Sequence, residues 1–263
     1  MLTRAIVGVF YAVILFGAVY FGPWTSALLF LTMGVWGGLE FYRMVEIGGY
    51  HPAGRLGIVW IVALVLTGWQ PPLLPLSTVL TAGLIGVLVY SLFQVDRPLN
   101  TWIVTAAGAV YLGLMCSQML ALRLLHNGMW WIYLGFFATW ANDTMAYLTG
   151  VTLGRHKIWP RLSPKKSWEG TIGGWLAATL AGALTAWFSP LMISPLFGAA
   201  VGLGAGILAL YGDLGISMIK RQVGVKDSGT LLPGHGGLLD RIDSILFVLP
   251  FIYQAVLLFG PHA

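Results

Sequence analysis

The segment from Ser217 to Asp243 gathers carboxylates, cations and glycines in a chain that is otherwise apolar. Near its end, Gly234-His235-Gly236-Gly237 is followed by Asp240-Arg241-Ile242-Asp243. Glycines let a backbone approach a ligand closely, and successive amides in such turns form an anion-binding nest. Asp240 and Asp243, three apart at a helix start, are expected to project side by side. Such carboxylates bind Mg²⁺, which prefers oxygen ligands and substrate phosphates.

The start of this segment, together with Asp213 just before it, forms a stripe that is typical of one helical face. Asp213 is followed by Ser217, Lys220 and Arg221 at offsets of four, seven and eight, which lie on one side of a helix. A carboxylate, a hydroxyl and two cations in this order suit a metal-bound phosphate. On spacing alone, an equal alternative is that the two cations are membrane anchors and that Asp213 pairs with one of them.

Further candidates lie outside this segment. Asp143 falls within an apolar block, where an acid costs about 2.5–3.5 kcal/mol even on lenient insertion scales and is therefore a functional candidate. Glu40 lies at a block end and is expected to reach headgroups and water instead. In the basic stretch 154–170, the cations precede a helix start at Ser167, where free amides add positive potential. It suits a triphosphate or a phospholipid headgroup, with general contact to anionic lipid as the alternative.

The elements that must position these residues are membrane helices. Of 263 residues, 58% are apolar and 9% are charged, whereas a soluble domain carries about 25% charged residues. The apolar residues form long blocks without period-two alternation, which favours helices over a barrel. The net charge of +5 is assigned to cytoplasmic loops and not to nucleic-acid binding. The single cysteine, Cys116, excludes an intrachain disulfide.

Nine apolar blocks predict about nine transmembrane helices, each near the roughly 20 residues that cross a bilayer. They lie at 5–22, 24–42, 56–74, 77–94, 101–122, 129–150, 171–189, 194–216 and 244–260. The first is expected to be an uncleaved span and not a signal peptide. With nine spans, all of the 14 Lys and Arg residues except Arg123 fall on one side. That side is cytoplasmic by the positive-inside rule, which places the N-terminus in the cytoplasm and the C-terminus outside.

The predicted fold is therefore an all-α integral membrane protein, a polytopic helical bundle. Residues 1–125 are expected to be a scaffold, and residues 126–263 a catalytic half with cytoplasmic loops 151–170 and 217–243. Glycines such as Gly202, Gly204 and Gly206 predict close helix packing and not a nucleotide-binding loop.

The segment from Ser217 to Asp243 resembles the signature of the phosphatidate cytidylyltransferases, the CDP-diacylglycerol synthases. The resemblance is carried by Ser217-Met218-Ile219-Lys220-Arg221, Lys226-Asp227 and the run from Leu232 to Asp243. Asp143-Thr144 with Tyr147 and Gly150 is similar to another characteristic stretch of the family, as is Ser163-Pro164-Lys165-Lys166-Ser167-Trp168-Glu169-Gly170. The resemblance covers roughly the C-terminal half, and Met145 stands where a small residue is expected.

The resemblance implies that CTP and phosphatidate yield CDP-diacylglycerol and pyrophosphate, with Mg²⁺, and a second metal as an option. The implied metal ligands are Asp213, Asp240 and Asp243, with Asp227 and Asp143 as further candidates. The implied phosphate-binding cations are Lys220, Arg221, Lys226, Lys165 and Lys166. Three positions have other implied roles: Ser217 ligates or positions a phosphate, His235 orients the pyrophosphate or shapes the loop, and Arg241 serves the site or pairs with Asp240 or Asp243. Substrate binding is completed by Ser167, Glu169, Gly236 and Gly237.

Two other functions stay open at the level of sequence. One is a related cytidylyltransferase or kinase that acts on an isoprenoid lipid. The other is a secondary transporter with Asp143 and Asp213 in an ion path, which is disfavoured because the polar residues cluster at one face of the C-terminal half. A homodimer is expected from the small-residue helix faces and the family. The expected location is the bacterial inner membrane, with the active site on the cytoplasmic side.

Overall fold

The computed structural model describes residues 2–69, 71–72, 74–229 and 236–260, with side chains from residue 8 onward. Within these ranges it has ten helices and two strands. The helices are α1 (Leu2–Tyr20), α2 (Pro23–Ile47), α3 (Gly54–Leu66), α4 (Leu76–Leu92), α5 (Pro98–Leu124), α6 (Gly128–Thr152), α7 (Trp168–Phe188), α8 (Pro195–Gln222), α9 (Leu239–Ile242) and α10 (Ile245–Phe259). Nine of them coincide with the nine predicted apolar blocks, and the tenth is the four-residue α9.

Three of the described helices are long and apolar enough to cross a membrane by length and composition. They are α5, α7 and α8, with 27, 21 and 28 residues. The helices α3, α4 and α10 are apolar but shorter, with 13, 17 and 15 residues. The chain is therefore a helical protein with membrane-spanning segments, as its composition predicts.

The connection between α6 and α7 folds into a hairpin that the all-α prediction did not include. Strand β1 (Lys157–Trp159) pairs antiparallel with β2 (Ser163–Ser167), and Lys157 lies opposite Ser167. The signal is weak in the sequence because the strands are short and β2 contains Pro164, a residue confined to edge strands or bulges. The Ser167 hydroxyl accepts a hydrogen bond from the Gly170 amide at 3.2 Å, which confirms the predicted helix start as an N-cap.

Packing divides the chain into two compact units. The first comprises Met1–Leu124 and Ile219–Ile242, and the second comprises Leu125–Met218 and Asp243–Ala263. In the first unit α2, α3 and α5 pack on one another and α9 packs on α2. In the second unit α6 lies along α7 and α10 packs on α6. Residues 219–242, predicted as part of the C-terminal half, thus cluster with the N-terminal helices.

Close helix packing at glycines, predicted from the sequence, is confirmed in the second unit. A Cβ at Gly202 would overlap the Ala178 carbonyl oxygen and approach Gly182, both on α7. A Cβ at Gly204 would overlap the ring of Phe251 on α10. Gly202 lets the backbones of α7 and α8 touch, and Gly204 leaves room for the Phe251 ring; such close contact is how membrane helices associate without a hydrophobic driving force between them.

We expect Gly202→Ala to lower the thermal unfolding midpoint of the detergent-solubilised protein. The added methyl group must push α7 and α8 apart, and overpacking of this kind costs about 1–3 kcal/mol. The matched control is Gly215→Ala on the same helix, where an added Cβ meets nothing within 4 Å. Equal unfolding midpoints for the two variants would contradict the packing role of Gly202.

Candidate active site

Several predicted site residues of the second unit meet in one cavity of about 620 Å³. The end of α6, the β1–β2 hairpin, the start of α7 and the middle of α8 form its walls. The predicted residues that line it are Asp143, Lys165, Lys166, Ser167 and Asp213. Two carboxylates and two lysines, drawn from separate stretches of the sequence, therefore face the same space.

Lys166 and Asp213 form an ion pair in this cavity. Their side chains keep 26% and 37% of their surface exposed, so a ligand in the cavity can reach both. Ser217 donates its hydroxyl to Asp213 Oδ1 at 3.3 Å, as expected for positions one turn apart. Spacing along α8 had offered Lys220 or Arg221 as the partner of Asp213, but the cation that pairs with it comes from β2.

The donor set of this cavity fits a nucleotide-bound Mg²⁺. Asp143 is exposed to the cavity, and its Oδ1 accepts a hydrogen bond from Asn142 Nδ2 at 3.2 Å. Mg²⁺ is commonly held by one or two carboxylates together with substrate phosphates and water, and Asp143 and Asp213 supply two. Within the described ranges, no three His, Cys, Asp or Glu side chains are grouped closely enough to hold a metal ion by themselves. The Mg²⁺ assignment stays a prediction.

Glu169, predicted to bind substrate, is engaged elsewhere. It does not line the cavity, and its Oε1 lies 2.6 Å from Nδ1 of His156. Its carboxylate also accepts hydrogen bonds from the amides of Arg155 and His156, at 3.1 and 3.2 Å. Glu169 therefore ties the first turn of α7 to the chain that enters β1, and it helps to hold the hairpin that carries Lys165 and Lys166.

In the first unit, Asp240 is engaged on both carboxylate oxygens. Lys220 Nζ lies 2.6 Å from Oδ1, and Oδ2 accepts from the amides of Ser228 and Gly237 at 2.8 and 3.1 Å. The Lys220 and Asp240 side chains are 11% and 9% exposed. Burial alone would raise the pKa of Asp240, but Lys220 and the two amides hold this pKa below its ordinary value. Asp240 organises the loop, and its role as a metal ligand stays a prediction.

Glu40 is the residue that the sequence interpretation assigned wrongly. It was expected to reach headgroups and water, yet it is 7% exposed. Its Oε1 accepts from the Leu238 amide at 2.9 Å. Its Oε2 accepts from the Leu239 amide at 2.8 Å and from the Ser228 hydroxyl at 3.0 Å. These partners are nearly 200 positions away in the chain, so no local pattern signals them.

The described part of the predicted anion-binding turn is Gly236 and Gly237, and the anions that contact it are the protein's own carboxylates. Gly236 has a φ of +81°, a conformation that glycine adopts without strain. A Cβ at Gly237 would overlap the Glu40 carboxylate and the Ser228 hydroxyl. In the described structure, these glycines therefore allow Glu40 and Asp240 to approach the backbone.

The remaining predicted residues are placed as follows. Lys226 and Asp227 are exposed and line a second cavity, of about 790 Å³, with Glu40 and Arg43 of α2. Arg221 and Arg241 are exposed. Asp243 is buried and accepts from the Ser244 amide at 2.6 Å. Its expected pairing with Asp240 stays a prediction, and His235 lies outside the described residues.

Asp240→Asn is expected to lower the free energy of unfolding at pH 7 by about 3–5 kcal/mol, because Lys220 would remain buried without its partner. The folded-state pKa of Asp240 is depressed, so the contribution of its carboxylate is complete above its ordinary pKa of about 3.9 and is lost as pH falls through the lower folded value. The gap in unfolding midpoint between wild type and variant should therefore narrow below about pH 4.

Thermal unfolding in detergent between pH 7 and pH 3 measures this gap. The control is Asp96→Asn, because Asp96 is exposed and its replacement leaves no buried cation without a partner. A gap that keeps its size across the range would contradict the pairing of an ionised Asp240 with Lys220.

The chain is similar to known proteins along nearly its whole length. Residues 2–259 match the model of the cytidylyltransferase family. The chain is 35% identical to a phosphatidate cytidylyltransferase of Synechocystis sp., over 95% of this chain and 93% of the relative. It is 32% identical to a phosphatidate cytidylyltransferase of Bacillus subtilis, over 99% of each. A Mycobacterium bovis protein of the same name is 42% identical over 52% of this chain and 45% of its own length.

Proposed function

The chain belongs to the cytidylyltransferase family, and we propose that it is a phosphatidate cytidylyltransferase of the membrane. It converts CTP and phosphatidate into CDP-diacylglycerol and pyrophosphate. Similarity along nearly the whole chain to two relatives of that name supports these substrates. The observation within the structure that supports the reaction most directly is the cavity in which Lys165 and Lys166 lie with Asp143 and Asp213.

The reaction places modest demands on acid–base chemistry and large demands on electrostatics. A phosphate oxygen of phosphatidate forms a bond to the α-phosphorus of CTP, and the bond from that phosphorus to the oxygen that links it to the β-phosphorus breaks, so that pyrophosphate leaves. The attacking phosphate monoester is already anionic near pH 7, so it needs no strong general base. The protein must bring two polyanions together and stabilise the charge on the leaving pyrophosphate.

The cavity of the second unit has the groups for this task. Lys165 and Lys166 would bind phosphate oxygens, and Asp143 and Asp213 would hold Mg²⁺, which supplies further charge neutralisation when bound. The Lys166–Asp213 pair keeps both side chains directed into the cavity before a ligand enters. An incoming phosphate can then replace Asp213 as the partner of Lys166, because the pair is partly exposed.

In the first unit, the proposed phosphate ligands are Lys220, Arg221 and Lys226. Lys226 is exposed at the cavity that Arg43 also lines. Lys220 is nearly buried against Asp240, so its charge is fixed in place by the loop. Positive charge held at a fixed position in a low-dielectric setting stabilises phosphate more than a mobile surface lysine does.

We also propose nine membrane spans with a cytoplasmic N-terminus in a bacterial inner membrane. Support comes from the agreement between nine described helices and nine apolar blocks, and from the sorting of basic residues to one side. In this topology the loop 151–170, which contains the β1–β2 hairpin, and the loop 217–243 face the cytoplasm, where CTP is available. Phosphatidate reaches them from the membrane.

Asp213→Asn and Lys166→Met are expected to lower the rate of CDP-diacylglycerol formation by about a hundredfold or more, the usual effect of removing one preorganised electrostatic group. The assay uses the purified protein in detergent with α-labelled CTP, phosphatidate and Mg²⁺, followed by separation of the labelled lipid. Arg161→Gln is the matched control, because Arg161 is an exposed cation of the hairpin outside the cavity lining.

Full rates in both cavity variants would show that this cavity is not the catalytic one. An inactive wild type would show that the substrate assignment is wrong. Replacing phosphatidate with a polyprenyl phosphate in the same assay tests the isoprenoid alternative, and the expected result is no labelled lipid.

The proposed topology predicts opposite labelling of two exposed positions in intact cells. In a Cys116→Ser background, Val95→Cys between α4 and α5 should resist a membrane-impermeant maleimide. Met192→Cys between α7 and α8 should react with it, because that connection is predicted to lie outside. The side chains of Val95 and Met192 are 96% and 90% exposed, so a lack of labelling cannot be due to burial within the protein. Labelling of both positions, or of Val95→Cys alone, would contradict the topology.

A further inference from the structure

Glu40 holds two separate stretches of the loop that the proposed function depends on. Ser228 precedes residues 230–235 and Leu238 and Leu239 follow them, and all three donate hydrogen bonds to the same carboxylate. One side chain of α2 therefore fixes the distance between the two stretches. An apolar residue at this position could pack, but it could not bind backbone amides.

The loop is shaped around this carboxylate on both sides. A Cβ at Gly229 would come within 2.6 Å of Glu40 Oε1, and a Cβ at Gly237 would overlap Oε2. No described Lys, Arg or His forms an ion pair with Glu40. Burial of a carboxylate without a cation is costly unless hydrogen bonds satisfy it, and three donors from the loop do so here. Such charge-assisted bonds are shorter and stronger than neutral ones.

A continuous set of contacts connects Glu40 to predicted phosphate ligands. The Ser228 hydroxyl lies 3.0 Å from both Glu40 Oε2 and Asp240 Oδ2, and with its single proton it can donate to only one of them at a time. The Ser228 amide also donates to Asp240, whose other oxygen holds Lys220. Glu40 is thus connected through Ser228 to Asp240, the side chain that holds Lys220.

We propose that Glu40 is a positioning residue of the reaction: it fixes the loop around Ser228 and Asp240 and thereby the place of the Lys220 charge, without contacting substrate. This inference rests on the proposed function for its kinetic consequence only. The fixing of the loop is a property of the fold and can be measured without any substrate.

The kinetic test uses Glu40→Gln, which keeps the size of the side chain. One of the two amides, of Leu238 or Leu239, then faces an NH₂ group instead of an oxygen. We expect kcat/KM for CTP to fall by about a hundredfold, the effect of a small displacement in a catalytic arrangement. Glu46→Gln is the matched control, because Glu46 lies on the same helix and is exposed; it should keep the wild-type value.

A double-mutant cycle separates positioning from general loss of stability. If Glu40 acts through Lys220, then Glu40→Gln should have little further effect once Lys220→Met is present. A multiplicative loss in the double variant would show that Glu40 does not act through Lys220, and it would overturn the proposal. Full activity in Glu40→Gln would overturn it as well.

Hydrogen exchange provides the readout that needs no substrate. The peptide that contains Leu238–Leu239 should exchange roughly tenfold faster in Glu40→Gln, since the amide that faces the NH₂ group loses its acceptor, and at the wild-type rate in Glu46→Gln. Unchanged exchange in Glu40→Gln would refute the positioning role even if activity fell. If wild type proved inactive with CTP and phosphatidate, the proposed function would fail, and the exchange result would still decide whether Glu40 fixes the loop.

Discussion

A carboxylate withdrawn from water must gain cations or hydrogen-bond donors, because the free-energy cost of burying an unpaired charge exceeds the stabilisation from any single contact. This requirement is severe in a chain with 9 acidic residues among 263 and extensive apolar surface. Three of those acids meet it in different ways. Asp213 pairs with Lys166, Asp240 combines Lys220 with backbone amides, and Glu40 accepts hydrogen bonds from donors of the described part of the loop.

The degree of burial separates the two ion pairs by function. The Lys166–Asp213 pair retains about a third of its surface, so solvent screens it and an incoming polyanion can compete for the lysine. The Lys220–Asp240 pair is about 10% exposed and shares its carboxylate with two amides. Opening it would leave a charge buried without a partner. The first pair therefore suits ligand exchange, whereas the second suits a fixed scaffold for charge.

What the sequence predicted well was local. Each apolar block became a helix, Ser167 caps α7, and Gly202 permits close helix contact, because propensity, capping and side-chain size act over a few residues. The hairpin was missed because a strand with Pro164 has little strand signal. The buried role of Glu40 was missed because its partners lie about 200 positions away in the chain. An acid at the end of an apolar block is also typical of a residue at the membrane interface. The gathering of Asp143, Lys165, Lys166 and Asp213 was only implied by resemblance, since chain spacing does not define a cavity.

The glycines near Asp240 show why residue type alone misdirects. Gly236 and Gly237 were read as room for a ligand, and they do provide room, but Glu40 and Asp240 fill it. A turn that can bind an anion binds whichever anion the fold delivers, and a carboxylate tethered to α2 has a far higher effective concentration than a soluble one. The tethered acid gives the loop one arrangement before substrate arrives. Alignment of two polyanions then requires less ordering of the protein at the moment of reaction. This is the physical advantage of a buried carboxylate that orders the loop in advance.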